Sequence, residues 1–149
     1  MSTYPPNAIL YPPSQDEKTF ALLSHVLGIF SGFIAPLVLF LVKRDSKFVS
    51  FHALQSLAWH IIYFVVFFFG MIVLFVTLFA SIGFSHPGQH GNQPPLAFFG
   101  IFGFVWLFAI GGALVNIILG IVYGIKAHNG EWAKYPIIGT WVLNKVIAG

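Results

Sequence analysis

The sequence predicts an all-α fold: a polytopic transmembrane helical bundle with three spans and a C-terminal interfacial helix. Residues 48–125 contain no Asp, Glu, Lys or Arg, although the chain has seven basic and four acidic residues. A charge at the bilayer centre costs about 2.5–3.5 kcal/mol on insertion scales, whereas a soluble domain needs charge on its surface. Apolar residues make up 58% of the chain and charged residues 7%, against about a quarter in ordinary soluble domains. Both observations indicate a membrane protein.

The chain divides into a tail, residues 1–13, and a membrane domain, residues 14–149. The tail contains the tripeptide Tyr-Pro-Pro twice, and proline favours extended over packed structure, so we expect the tail to be disordered. Ser14 and Glu17 have the spacing of a capping box, which predicts that the first helix begins there.

Three apolar runs are long enough to cross a bilayer at a rise of about 1.5 Å per residue. We place the spans at about 20–42, 57–79 and 98–125. Gly32 and Pro36 interrupt the first run and predict a kink near Gly32. The alternative is a re-entrant hairpin that turns at this point.

The segments between and after the spans are predicted from their helix-breaking residues and from their polarity. Residues 48–55 carry several polar side chains and read as an interfacial lead-in to the second span, and residues 85–95 predict a loop. Gly130 fits a helix C-cap after the third span. Residues 132–148 are too short to cross and place apolar residues at helical spacing, so we expect an interfacial helix.

Basic residues set the expected orientation. They cluster in the 43–47 loop and after the third span but are absent from 85–95. By the positive-inside rule, the 43–47 loop and the C-terminus face the cytoplasm and the 85–95 loop faces outward. Three crossings put the N-terminus outside, whereas a hairpin would return it to the cytoplasm.

The chain lacks the residues that several functional classes require. The basic residues form no stripe with interleaved aromatic residues, which argues against nucleic acid as a partner. Cysteine is absent, so disulfides and thiol ligands are excluded. We find no Ser-His-Asp order, paired intramembrane carboxylates, phosphate-binding glycine loop or HExxH spacing, so we expect no enzyme, no cofactor and no metal. The expected partners are the lipid bilayer and other membrane-protein subunits or further copies of this chain.

The second helix carries the main candidate site. Four polar side chains fall at i, i+3, i+4 and i+8, on one side of an apolar helix: His52, Gln55, Ser56 and His60. They could line a polar path or relay protons. Alternatively, they lie at headgroup level, bonded to water or neighbouring helices. If the first segment is a hairpin, His25 could meet His52.

The third helix has a small residue or an amide at every fourth position: Gly112, Asn116, Gly120 and Gly124. Small residues allow helix backbones to approach closely, so this face predicts helix packing. Asn116 could form a hydrogen bond to a neighbouring helix. The alternative is that it contacts a substrate or an ion. We therefore count Asn116 within the candidate polar cluster as well.

Three stretches together resemble a known family: Leu23-Ser24-His25 with Ala35-Pro36-Leu37 and Lys43-Arg44-Asp45; Phe48-Val49 through Phe51-His52-Ala53 to Gln55; and Ile125-Lys126-Ala127 through Asn129-Gly130-Glu131-Trp132 to Lys134-Tyr135-Pro136. The set is similar to the Tic-twenty-like small membrane proteins of bacteria, distantly related to a component of the chloroplast inner-envelope import machinery. The resemblance implies a multi-pass bundle in a bacterial plasma (inner) membrane, and suggests protein translocation by analogy alone. The motif positions are His25, Pro36, His52, Gln55, Lys126, Gly130, Tyr135 and Pro136.

These observations lead to two functional hypotheses. The first is a non-enzymatic subunit or scaffold of a membrane complex that acts by helix association. The alternative is a small transporter or channel with a polar path through His52, Gln55, His60 and Asn116.

Overall fold

A computed structural model describes residues 12–83 and 96–148, and over these residues the protein is helical without strands. The five helices are α1 (Gln15–Ser31), α2 (Ile34–Val42), α3 (Lys47–Gly83), α4 (Leu96–His128) and α5 (Gly139–Ala148). The all-α prediction is confirmed. Most of the predicted tail and the predicted 85–95 loop lie outside the described residues.

The first helix begins where the capping box predicts. Ser14 is the N-cap: its backbone N–H donates to Glu17 Oε2 at 2.8 Å, and the Glu17 N–H donates to Ser14 Oγ at 3.3 Å. Two of the four backbone N–H groups that lack a partner within the helix are thereby satisfied. The helix ends at Gly32, whose φ of 61° is a conformation that favours glycine.

The first predicted span, residues 20–42 with a kink near Gly32, does break at Gly32, but its two parts, α1 and α2, fold back on each other instead of continuing in one direction. A continuous helix would separate residues 20 and 42 by about 33 Å. Instead, the Lys43 Nζ lies 4.2 Å from the centroid of the Phe20 ring. At the same end, the Ser46 hydroxyl donates to Glu17 Oε1 at 2.6 Å. The hairpin alternative is therefore the observed arrangement.

Helices α3 and α4 are the two long apolar helices. Lys47–Ala80 and Phe98–His128 are each long and apolar enough to cross a membrane. The predicted spans 57–79 and 98–125 fall inside these two segments. The predicted lead-in 48–55 lies within the continuous helix α3, and its apolar side chains are buried in the protein apart from the half-buried Leu54.

The described residues form two compact units. Among the described residues, the polar unit comprises those up to Ile61 and those from Val115 onward, and the apolar unit comprises those between Ile62 and Leu114. The core of the polar unit draws on α1, α3, α4, α5 and the residues before α5: Ala21, Phe48, Phe51, Ala127, Trp132, Val142, Leu143 and Val146. All charged residues of the chain belong to the polar unit.

The C-terminal segment differs from the predicted interfacial helix over 132–148. Only Gly139–Ala148 is helical, and residues 131–135 are irregular. Val142 and Val146, two of the apolar residues at helical spacing in this segment, are buried in the protein core. Trp141 is 59% exposed, Ile137 is 94% exposed and Ile147 is 44% exposed, so these three side chains contribute to the outward apolar surface of this segment.

Candidate functional site

The four polar side chains predicted on the second helix lie on α3 inside the polar unit. His52 and Gln55 have no exposed surface, Ser56 has 1% and His60 has 5%. Their common direction follows from the i, i+3, i+4 and i+8 spacing. The helix therefore presents a polar stripe to the protein interior and not to lipid.

The hairpin brings His25 of α1 against this stripe. His25 Nε2 and His52 Nδ1 are 3.0 Å apart, and the two rings meet edge to face with centroids 5.2 Å apart. His25 Nδ1 lies 2.9 Å from the Tyr135 hydroxyl, and His52 Nε2 lies 3.0 Å from the Glu131 carbonyl oxygen. The two-histidine contact expected for a hairpin is present.

With both rings neutral, the Glu131 carbonyl fixes every proton in this chain of contacts. A carbonyl oxygen only accepts, so His52 Nε2 carries the hydrogen and His52 Nδ1 accepts. His25 Nε2 must then donate to His52, which leaves His25 Nδ1 to accept from the Tyr135 hydroxyl. Three hydrogen bonds therefore run in one direction, from Tyr135 through His25 and His52 to the backbone at Glu131.

Gln55 fixes the same irregular segment, residues 131–135, through its side-chain amide. The Tyr135 N–H donates to Gln55 Oε1 at 2.8 Å, and Gln55 Nε2 donates to the Ala133 carbonyl at 3.1 Å. A segment without helix or strand needs partners for its buried backbone groups. Side chains one turn apart, His52 and Gln55, supply these partners.

Tyr135 is the centre of the network. Its ring stacks on His25 with centroids 5.4 Å apart, and the Tyr123 ring lies 4.4 Å away. Burial raises the pKa of the Tyr135 hydroxyl, and the neighbouring Tyr123 adds to the shift, so the group remains a neutral donor. The Tyr123 hydroxyl donates to the Lys134 carbonyl at 3.0 Å, which gives the segment a further attachment.

Ser56 and His60 lie one and two turns further along α3, facing Gly28 of α1. His60 Nδ1 donates to the Ser56 carbonyl at 2.7 Å. Ser56 Oγ and His60 Nε2 are buried; the Tyr135 hydroxyl and the Gly28 backbone are their polar neighbours, but within the described residues neither atom forms a hydrogen bond of good geometry. A Cβ atom at Gly28 would lie 2.8 Å from His60 Cε1 and 3.1 Å from Ser56 Oγ, so only glycine allows the two helices this approach.

The predicted small-residue face of α4 packs within the chain. A Cβ on Gly120 would lie 2.6 Å from the Ile29 side chain, and one on Gly124 would lie 3.0 Å from the Leu22 side chain. Gly112, in the apolar unit, lies against the Tyr63 ring. Asn116 is half-buried and takes part in none of the hydrogen bonds of the histidine network.

The remaining motif positions lie outside the histidine network. Gly130, with a φ of 83°, ends α4, and the Glu131 N–H donates to the Lys126 carbonyl at 3.0 Å, so the predicted C-cap is confirmed. The Lys126 ammonium lies 5.5 Å from the Tyr123 ring centroid. Pro36 is buried in the first turn of α2, where a missing N–H costs no hydrogen bond, and Pro136 is exposed.

Sequence reasoning missed two parts of the network. Tyr123 and the backbone carbonyls of residues 131–135 were not predicted to take part. Tyr123 carried a usable signal, because a hydroxyl near the end of an apolar helix needs a polar partner. No group of three or more metal-binding side chains occurs in the part of the chain that the structure describes.

Comparison with known proteins gives the family. The model of the magnetosome magnetite crystal formation protein family, the family of MamF and MmsF, matches residues 16–142. A UPF0132 membrane protein of Methanocaldococcus jannaschii is 29% identical over 127 residues, which cover 83% of each chain. A UPF0132 membrane protein of Archaeoglobus fulgidus is 28% identical over 123 residues, 83% of this chain and 88% of the relative. No solved structure matches the chain.

These matches correct the family resemblance proposed from sequence motifs. The matching family model is not Tic-twenty-like, and both relatives are archaeal, so that assignment is wrong. The relatives are membrane proteins by name, and the chain itself has two apolar helices of membrane-spanning length. This protein is a membrane protein and belongs to the magnetosome magnetite crystal formation protein family.

Proposed function

We propose that the protein is a non-enzymatic scaffold subunit of a membrane complex. The observation that carries this proposal is the closure of the polar network. His25 and His52 have both ring nitrogens engaged by the protein itself, and Gln55 has both its oxygen and its nitrogen engaged. Side chains whose donors and acceptors are all bonded within the protein stabilise its fold and are not available to a ligand. The outer surface of the protein is then the part that can bind other membrane proteins.

We propose a topology of two crossings and one hairpin. Helices α3 and α4 cross the bilayer, whereas α1 and α2 enter and leave on the same side, which the contact between Glu17 and Ser46 supports. The outward Trp141 and Ile137 suit an interfacial position for the segment around α5. By the positive-inside rule, both termini and the 43–47 loop face the cytoplasm of a plasma-membrane protein.

The family description concerns magnetite crystal formation in magnetosomes. We propose that this chain contributes to such a process as a scaffold, by organising other membrane proteins at one place in a bilayer. The exposed apolar side chains of the apolar unit support such contacts: Phe69 is 66% exposed and Leu107 is 71% exposed.

Cysteine cross-linking in native membranes tests the scaffold proposal, since the chain has no cysteine of its own. We expect Phe69→Cys and Leu107→Cys to form cross-links to neighbouring membrane proteins or to further copies of the chain. Leu74→Cys is the matched control, because Leu74 lies on the same helix as Phe69 but is only 6% exposed. If neither exposed position cross-links more than Leu74→Cys, the proposal fails.

Flux through liposomes separates the scaffold from the transporter or channel. The buried Ser56 Oγ and His60 Nε2, which form no hydrogen bond of good geometry within the described residues, are the features that favour a polar path. We expect the purified protein to conduct neither protons nor small solutes above the level of empty liposomes. Conductance above that level would favour the transporter over the scaffold.

A further inference from the structure

A second group of side chains in the polar unit, apart from the histidine network, surrounds a pocket of about 480 Å³. It is lined by Phe40, Arg44, Asp45, Lys47, Ser50, Leu54, Lys145 and Val146. We propose that this pocket binds the phosphate headgroup of an anionic glycerophospholipid. The inference rests on membrane residence and does not depend on the scaffold role.

The charge of the pocket suits a phosphate. Arg44 comes from the loop after α2, Lys47 from the start of α3 and Lys145 from α5, so three separate elements direct cationic side chains to one place. Asp45 is the acidic residue of the lining, which leaves a net charge of about +2 facing a phosphate monoanion. Arginine and lysine are the side chains that proteins use to bind phosphate oxygens.

Two contacts hold the cationic wall in place before any ligand arrives. The Lys47 ammonium donates one hydrogen bond to the Val146 carbonyl at 3.0 Å, which leaves two donors free for a ligand. The Ser50 hydroxyl lies 3.4 Å from the carbonyl oxygens of Lys43 and Arg44, which supports the loop that carries Arg44. A site with fixed donors loses less conformational entropy on binding.

The apolar part of the pocket favours a lipid over free phosphate. Phe40 and Leu54 are half-buried and Val146 is buried, so one wall of the pocket is hydrocarbon. Next to Phe40 on α2, Leu41 is 52% exposed and Val42 is 67% exposed. An acyl chain can lie along this apolar surface while its headgroup meets the basic side chains, which is how basic pockets at the membrane edge bind anionic lipids.

Calorimetric titration of the full chain in a non-ionic detergent tests the site with three probes. Dioctanoyl-phosphatidylglycerol has the anionic headgroup and acyl chains, dioctanoyl-phosphatidylcholine has the chains without net charge, and glycerol 1-phosphate has the phosphate without chains. We expect saturable binding of the phosphatidylglycerol and at least about tenfold weaker binding of the other two. Equal affinity for the choline lipid would overturn the proposal, and equal affinity for glycerol 1-phosphate would assign the site to free phosphate.

Charge-matched variants show whether binding occurs at this pocket. Arg44→Gln with Lys145→Gln should weaken phosphatidylglycerol binding by roughly fivefold for each charge removed. Lys126→Gln with Lys134→Gln removes the same charge outside the pocket and should leave the affinity within about twofold. Equal losses in the two pairs would mean attraction by overall charge and would overturn the assignment.

Asp45→Asn gives a test of opposite sign that does not depend on a loss of binding. The substitution removes the acidic group of the lining, so phosphatidylglycerol binding should strengthen by about two- to fivefold. Unchanged or weaker binding in Asp45→Asn would contradict a headgroup at this position.

Discussion

The polar and apolar units of this chain are held together in different ways. In the polar unit, buried side chains are polar as well as apolar, and His25, His52 and Gln55 are bonded to one another or to a backbone segment without regular structure. In the apolar unit, most large side chains face outward, and the polar contacts are part-buried, such as that of the Tyr63 hydroxyl, which donates to the Ala109 carbonyl at 3.0 Å. The polar unit should therefore be the more sensitive to single substitutions.

The apolar unit gains little from the hydrophobic effect in a bilayer, because lipid tails are as apolar as its side chains. Its contacts are those of packing: the Tyr63 ring stacks on Phe108 with centroids 5.5 Å apart, and Gly112 lies against Tyr63. A cavity of about 430 Å³ between aromatic side chains remains next to Val105 and Leu74. Packing of this kind tolerates conservative exchange at most positions.

His52→Ala should have the largest effect, with a loss of about 3 kcal/mol of unfolding free energy. The change leaves the buried His25 N–H and the part-buried Glu131 carbonyl without partners, and a buried group without a partner costs about 1–3 kcal/mol. Phe69→Ala on the same helix, at a position 66% exposed, should change stability by less than about 0.5 kcal/mol. Reversible unfolding in mixed detergent, followed by circular dichroism, measures both; similar losses would contradict the difference between the units.

Gly120→Ala should cost about 1–3 kcal/mol, because its Cβ would lie 2.6 Å from the Ile29 side chain and 3.2 Å from the His25 carbonyl oxygen. Gly111→Ala is the matched control on α4, since a Cβ there meets nothing within 4 Å. In that open position alanine should be neutral or stabilise the helix by up to about 1 kcal/mol. The same unfolding assay compares the pair, and a neutral Gly120→Ala would disprove the close helix contact.

Tyr135→Phe should cost about 1–2 kcal/mol. It removes the hydroxyl that donates to His25 Nδ1 while keeping the ring and the backbone bond to Gln55. Hydrogen exchange read by mass spectrometry should show faster exchange in the peptide covering residues 131–135. Unchanged exchange and stability would show that the hydroxyl plays no part in holding this segment.

Glu17→Gln should have the smallest effect, about 1 kcal/mol or less, because the side chain is only partly buried and solvent weakens its contacts. Partial burial raises the pKa of Glu17, but hydrogen bonds from Ser46 and Ser14 outweigh it and lower the pKa from its ordinary value of 4.5. The stabilisation is therefore present above that value and is lost as the pH falls through the lower pKa of the folded protein. Unfolding measured from pH 6 to pH 3 should show a loss in the wild type that Glu17→Gln lacks.

Local patterns predicted much of this fold. The capping box of Ser14 and Glu17, the cap at Gly130 and the two long apolar helices follow from short-range rules, and the structure has each of them. The break at Gly32 was also visible in the sequence. The direction in which the chain continues after the break could not be predicted. A kinked span and a hairpin have the same local residues and differ in a contact between residues distant in sequence, that of Glu17 with Ser46.

Only the part of the polar network that lies on α3 could be predicted from the sequence. The spacing of His52, Gln55, Ser56 and His60 indicates a common helix face, but their partners at residues 131–135 include backbone carbonyls, which carry no side-chain signal. Likewise, α5 has apolar residues at helical spacing whether they face protein or membrane. In the structure, Val142 and Val146 are buried in the core, whereas Trp141 is exposed.

Labelling of engineered cysteines tests the hairpin, on which the histidine network and the proposed topology both depend. Gln15 and Asp45 are exposed and lie at the two ends of the hairpin, and the chain has no cysteine to interfere. Gln15→Cys and Asp45→Cys should both react with a membrane-impermeant maleimide in inside-out vesicles and in neither case from the outside of intact cells. Reaction of the two cysteines from opposite sides would mean that the first segment crosses the membrane and would contradict the hairpin.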